Sequence, residues 1–79
     1  MKIRIYSKAD CHLCDEAKEA IQRVTKRLPI EIEIIDIEKD SELLNQYRYD
    51  IPVIFLDDRK IFKHRVDEEK LKRILGVSG

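Results

Sequence analysis

Two cysteines three residues apart, in Cys11-His12-Leu13-Cys14, are the side chains of this sequence best suited to do chemistry. A bridge between them closes a four-residue loop, worth roughly 2 kcal/mol on the chain-entropy model and less than a long-range staple. A bond there serves chemistry rather than reinforcement. The pair follows an alternating stretch, Lys2 to Ser7, and opens a segment whose apolar positions are Leu13, Ala17, Ala20, Ile21, Val24 and Leu28. Steps of three and four residues describe one helix face, so the motif lies at a strand-to-helix junction. The first turn of a helix offers unpaired N–H groups and a partial positive charge. That field favours thiolate, the attacking species.

At this spacing on a helix the Cβ atoms lie about 5–6 Å apart, and a relaxed disulfide needs about 3.5–4.5 Å. A small adjustment closes the bond and leaves it readily reduced. Cys11, at the tip, is expected to attack a substrate disulfide. Cys14, one turn deeper, is expected to attack Cys11 and release the product. Lys8, and His12 when protonated, favour the Cys11 thiolate, whereas Asp10, Asp15 and Glu16 oppose it where they point inward. The expected net result is a Cys11 more acidic than a free thiol. The same letters also fit two small buried hydrophobes or half a zinc site. His12 and His64 would complete a Cys₂His₂ set, although His64 lies far along the chain without a second spaced pair. An iron–sulfur cluster shared between two chains through Cys11 is a lesser reading. The alternative function is therefore a small metal-binding module for zinc or Cu(I) built on the same two thiols.

Positioning these residues requires a small α/β framework. Ile30 to Ile37 is the clearest strand signal after Lys2–Ser7, and Pro29 stops the first helix near Leu28. Asp10 is the expected cap of that helix. Asp40 or Ser41 caps a short helix carrying Leu43, Leu44 and Tyr47, and Val53 to Leu56 reads as a buried strand. Asp57-Asp58-Arg59 is a turn, with Lys60 to Lys63 returning as a hairpin. Asp67 caps a last helix, with Glu68 and Glu69 in its first turn, Lys72 and Arg73 near its end and Gly76 just beyond, in keeping with the helix dipole. The order is β-α-β-α-β-β-α: a four-stranded mixed sheet with helices on both faces, in one domain over residues 1–79.

The 79 residues exclude a two-lobed enzyme. Sixteen Lys and Arg balance sixteen Asp and Glu, and zero net charge argues against nucleic acid as a partner. No apolar run approaches the roughly 18 residues that span a bilayer, so no membrane partner is expected. The first residues form a strand rather than a signal-peptide core, which points to the cytoplasm. Charged residues make up 41% of the chain and Asn45 is its only Asn, a composition that fits a heat-adapted protein.

The stretch Tyr6-Ser7-Lys8-Ala9-Asp10-Cys11-His12-Leu13-Cys14 resembles the active-site strand, loop and helix of glutaredoxins, in the thioredoxin superfamily. Ile51-Pro52-Val53, some 40 residues on, looks like that family's cis-proline segment. The small glutaredoxin-like proteins with a C-x-L-C motif are the nearest in appearance. The resemblance covers essentially the whole chain and implies a thioredoxin-like fold. It implies thiol–disulfide exchange, with Cys11 as nucleophile, Cys14 as resolving thiol, and Lys8, His12, Ile51 and Pro52 along the substrate site. A cis Ile51-Pro52 would offer the Ile51 backbone to an extended substrate by strand addition. One departure is informative. Glutathione-using members carry Gly-Gly and an acid after the last strand, and this chain reads Ile61-Phe62-Lys63-His64-Arg65-Val66-Asp67. Asp67 is expected to serve as helix cap instead, which argues against glutathione as reductant. No bound cofactor is expected, the dithiol itself carrying the electrons. The expected partners are protein disulfides or an upstream thiol reductase, met by a monomer. Tyr47 and Tyr49 flank Arg48 just before Ile51, and at least one of them is expected in the core. Lys60, Lys63, His64 and Arg65 form a small basic patch.

Overall fold

A computed structural model describes residues 1–77. The elements run β1 (Lys2–Ser7), α1 (His12–Thr25), β2 (Glu31–Asp36), a 3₁₀ turn (Ile37–Lys39), α2 (Ser41–Tyr47), β3 (Val53–Leu56), β4 (Arg59–Lys63) and α3 (Glu68–Leu75). The four strands form one sheet in the order β2-β1-β3-β4. β1 pairs parallel with β2, Ile3 beside Ile32 and Ile5 beside Ile34. β3 runs antiparallel to β1, and β4 returns antiparallel along β3. The fold is thioredoxin-like, and the expected element order and mixed sheet are both present.

The alternation of β1 sorts its side chains to two faces. Ile3 and Ile5 turn to one face and pack with Ala17, Ile21 and Val24 of α1, Ile54 and Phe62 of the hairpin, and Leu71 of α3. Tyr6 turns to the other face, where its ring meets Tyr47 of α2 at 4.9 Å and Phe55 of β3 at 5.5 Å. Helices therefore cover both faces. A second, smaller cluster of Cys14, Ile37 and Ile51 lies under the motif, with Leu43, Leu44 and Tyr47 of α2 packed against it.

The ends of the elements correct four expectations. Asp10 does not cap α1. It takes a left-handed φ of 56° that turns the chain, and Cys11 occupies the cap position, its sulfur accepting the Cys14 N–H. α1 ends at Thr25 rather than near Leu28, because the Leu28 N–H bonds the Thr25 carbonyl three residues back. That tighter turn leads into Pro29, whose ring disfavours helical backbone at the residue before it. The strand expected from Ile30 to Ile37 is shorter, and Ile37 opens the 3₁₀ turn with Asp36 as its cap. Asp40 rather than Ser41 caps α2, its carboxylate accepting the Glu42 and Leu43 N–H groups. Asp67 caps α3 and Gly76 closes it in the left-handed region, as expected. β4 starts one residue early, at Arg59, and carries an irregularity opposite Ile54 and Phe55.

Candidate active site

β1 and α1 deliver the two sulfurs to one end of the sheet. The chain leaves β1 after Ser7, turns at Asp10 and enters α1 with Cys11 at its cap. The Cα atoms of Cys11 and Cys14 are 5.2 Å apart and the sulfurs are joined as a disulfide. Cys14 is fully buried and Cys11 partly exposed. The Cys14 N–H points at the Cys11 sulfur over 3.2 Å. A backbone N–H aimed at sulfur from the first turn of a helix stabilises negative charge there.

The Ile51-Pro52 peptide is cis, and the Ile51 side chain packs in the same cluster as Cys14, with Cys11 against it. The loop before β3 therefore lies against the cysteine pair, although some 40 residues separate them in sequence. Neither the N–H nor the C=O of Ile51 has a hydrogen-bond partner among the described residues. The Pro52 carbonyl accepts the His64 N–H at 2.8 Å. The His64 ring reaches the same loop from its other side: Nε2 lies 3.0 Å from the Tyr49 carbonyl. A carbonyl only accepts, so Nε2 carries the hydrogen.

Other expected site residues stand around this centre. Lys8 is exposed beside the turn. His12 is exposed and directs Nε2 to Glu16 at 3.1 Å. The two histidines are thus engaged by separate partners, Glu16 and the Tyr49 carbonyl. Among the described residues no three His, Cys, Asp or Glu side chains gather as a metal site. Lys63 of the basic patch faces Asp50 at 3.7 Å, and Lys60 lies further back on the same strand, β4, opposite Phe55. Asp67 spends its carboxylate on the Lys70 N–H at 3.1 Å.

Sequence reasoning missed the floor of the site. Ile37, Leu43 and Leu44 reach Cys14 from two elements that strand and helix patterns describe only as apolar. Tyr47 is packed against Tyr6 and Phe55, and its hydroxyl titrates above the usual range, chiefly through burial, then through Tyr6 and Asp50. A groove of about 350 Å³ borders the motif through Leu13 and runs between α1 and the segment His64 to Val66. Neither sulfur lines it. Nearly three turns along α1 from Leu13, Arg23 clasps Glu68 of α3 through Nε at 3.3 Å and Nη2 at 3.1 Å.

A C-x-x-C pair at the start of the first helix of a thioredoxin fold, faced by a cis-proline loop, defines a protein of the thioredoxin superfamily. Over residues 2–76 the chain matches the Glutaredoxin-like domain (DUF836), and it belongs to that family. A glutaredoxin-like protein of Dictyostelium discoideum, described as a homolog of YDR286C, is 38% identical over 77 residues, 90% of this chain and 71% of that protein. Among solved structures, protein XcR50 from X. campestris is 25% identical with a TM-score of 0.76, over 98% of this chain and 99% of that one. Protein Ne2328 from Nitrosomonas europaea is 25% identical with a TM-score of 0.78, over 92% and 88%. The glutaredoxin-like NrdH-redoxin of Escherichia coli shares the fold at 23% identity and a TM-score of 0.63, over 94% and 95%. A glutaredoxin-like chain with this fold and this cysteine pair supports a redox role. No helix among the described residues is long and apolar enough to cross a membrane.

Proposed function

We propose that this chain is a thiol–disulfide oxidoreductase working through the Cys11/Cys14 dithiol. The observation that carries the reading is the asymmetry of the pair: Cys11 partly exposed at a helix cap, Cys14 fully buried one turn below and already bonded to it. In the reduced protein the Cys11 thiolate attacks one sulfur of a substrate disulfide. That S–S bond breaks, and its second sulfur leaves as a thiolate and takes up a proton. Cys14, giving up its proton, then attacks the Cys11 sulfur of the mixed disulfide. The Cys11–Cys14 bond forms and the first substrate sulfur leaves as a thiol. Two electrons and two protons pass to the substrate. An upstream dithiol reductase returns them by the same exchange in reverse.

The unpaired Ile51 N–H and C=O supply a place for the substrate backbone beside the sulfurs, in the manner of strand addition. Protein disulfides suit such a site. Glutathione is disfavoured as reductant, because bulky His64 and Arg65 stand after β4 and Asp67 is occupied as a cap. Reduction of insulin with a dithiol donor tests the assignment. Wild type should turn over, Cys11→Ser should abolish turnover, and Cys14→Ser should accumulate a mixed disulfide detectable by mass. Equal partial losses from the two variants would contradict the roles. A wild type that reduces no disulfide but binds zinc or Cu(I) tightly would replace the enzyme with a metal-binding module.

A further inference from the structure

Tyr49 is 84% exposed, more than the other exposed large hydrophobic residues, Met1 and Ile34. No aromatic neighbour covers it: the other tyrosines, Tyr6 and Tyr47, pack with Phe55 on the sheet. Its backbone, in contrast, is held firmly. The Tyr49 carbonyl accepts His64 Nε2–H, the next residue's N–H bonds the Tyr47 carbonyl at 2.9 Å, and the Asp50 carboxylate faces Lys63. His64 itself sits at a left-handed φ of 72° while its N–H holds Pro52. A non-glycine residue in that region costs free energy, and the surrounding contacts must hold it there. The ring is thus exposed on a fixed support, two residues from Ile51. Two residues span at most about 7 Å of chain, so Tyr49 stands within reach of anything paired to the Ile51 backbone.

The charges around this platform point to the occupant. Arg48 beside Tyr49 and Arg65 beside His64 are exposed and have no ion pair among the described residues, and neither has Lys8. The nearby carboxylates are largely engaged: Asp50 faces Lys63, Glu16 faces His12 and Asp15 faces Lys18. Asp10, and Glu19 in the groove beside Arg65, have no ion pair among the described residues, and Asp67 is engaged as the α3 cap. We propose that Tyr49 is the docking platform for a disulfide-bearing polypeptide whose segment next to the reacting cysteine carries an apolar residue, for the ring, and acidic residues, for Arg48 and Arg65. Anchored aromatics flanked by arginine are the side chains that dominate protein recognition. The inference rests on the disulfide-exchange reading and names the partner of that same site.

The test uses the full-length protein, reduced with dithiothreitol and desalted. Three disulfides are compared: a cyclic peptide with Leu and Glu beside one cysteine, the same peptide with Lys for Glu, and hydroxyethyl disulfide. The readout is the ratio of the second-order rate constant for the Leu/Glu peptide to that for hydroxyethyl disulfide. Tyr49→Ser should lower this ratio about tenfold, on the scale of a binding hot spot. Tyr49→Phe should retain it. Wild type should reduce the Glu peptide faster than the Lys peptide. A ratio unmoved by Tyr49→Ser, or a wild-type preference for the Lys peptide, overturns the docking platform while leaving disulfide exchange standing. A wild type inert toward all three disulfides overturns both.

Discussion

At the scale of single residues, the site turns on which side chain occupies the helix cap. Asp10 has the better capping side chain by general preference, yet it takes the left-handed turn and Cys11 takes the cap. Propensity alone could not place the boundary, because both residues can precede the helix and only the turn geometry separates them. The consequence is chemical. A sulfur at the cap receives the Cys14 N–H directly, and in the reduced state this N–H and the α1 dipole favour thiolate. Alkylation of the reduced protein by iodoacetamide, followed against pH, should show Cys11 reacting with a midpoint below about 8.5, the value of a free thiol. Cys14, sealed beneath, should react far more slowly. A midpoint at or above the free-thiol value would mean that the carboxylates of Asp10, Asp15 and Glu16 outweigh the helix. The cysteines, Ile51 and Pro52 were legible as a constellation. Tyr49 was legible only as an aromatic near it, because exposure depends on which of two neighbouring tyrosines α2 turns inward.

At the scale of elements, the caps and charge order of α3 were readable because they are local: Asp67, Glu68 and Glu69 open the helix and Lys72, Arg73 and Gly76 close it. What the order of residues does not show is that Glu68 also reaches across to α1. Arg23 holds the Glu68 carboxyl below the usual carboxylate range, first by its hydrogen bonds and then by its charge, while Lys72 adds to the effect. A carboxyl lowered in the fold stabilises the native state above its unfolded pKa, and that contribution disappears as pH falls through the folded value. The pair is exposed, so the effect is small and sensitive to salt. Glu68→Gln should therefore lower the melting temperature slightly at pH 7 and by less at pH 3. Added salt should shrink the difference at pH 7. An equal difference at both pH values would show that the ion pair does not join α1 to α3 in solution.

At the scale of the molecule, two clusters divide the work. Ile3, Ile5, Ile21, Ile54 and Leu71 hold α1 and α3 on one face of the sheet, and Cys14, Ile37 and Ile51 form the floor of the redox site. The β-α-β start and the hairpin were readable as a parallel pair and an antiparallel pair, since a right-handed crossover and a short turn leave few alternatives, but that β3 joins the sheet beside β1 was not. The meeting of Ile37, Leu43 and Ile51 beneath the disulfide was not legible, because it depends on how two irregular segments return to the sheet. The separation has a measurable consequence. Leu71 is fully buried in the larger cluster and absent from the smaller one. Leu71→Ala leaves a cavity that costs about 2–5 kcal/mol, a large share of the roughly 5–15 kcal/mol that holds a domain together. Its melting temperature should fall by about 10 °C or more, starting from a wild-type value above about 65 °C if the dense mixed charge reflects heat adaptation. The fall should be the same in oxidised and reduced protein, because the cavity opens in the cluster that excludes both cysteines. A loss of only a degree or two would mean that α3 frays independently of the sheet. A loss confined to one redox state would mean that the two clusters are mechanically one, and that the state of the disulfide is felt throughout the core.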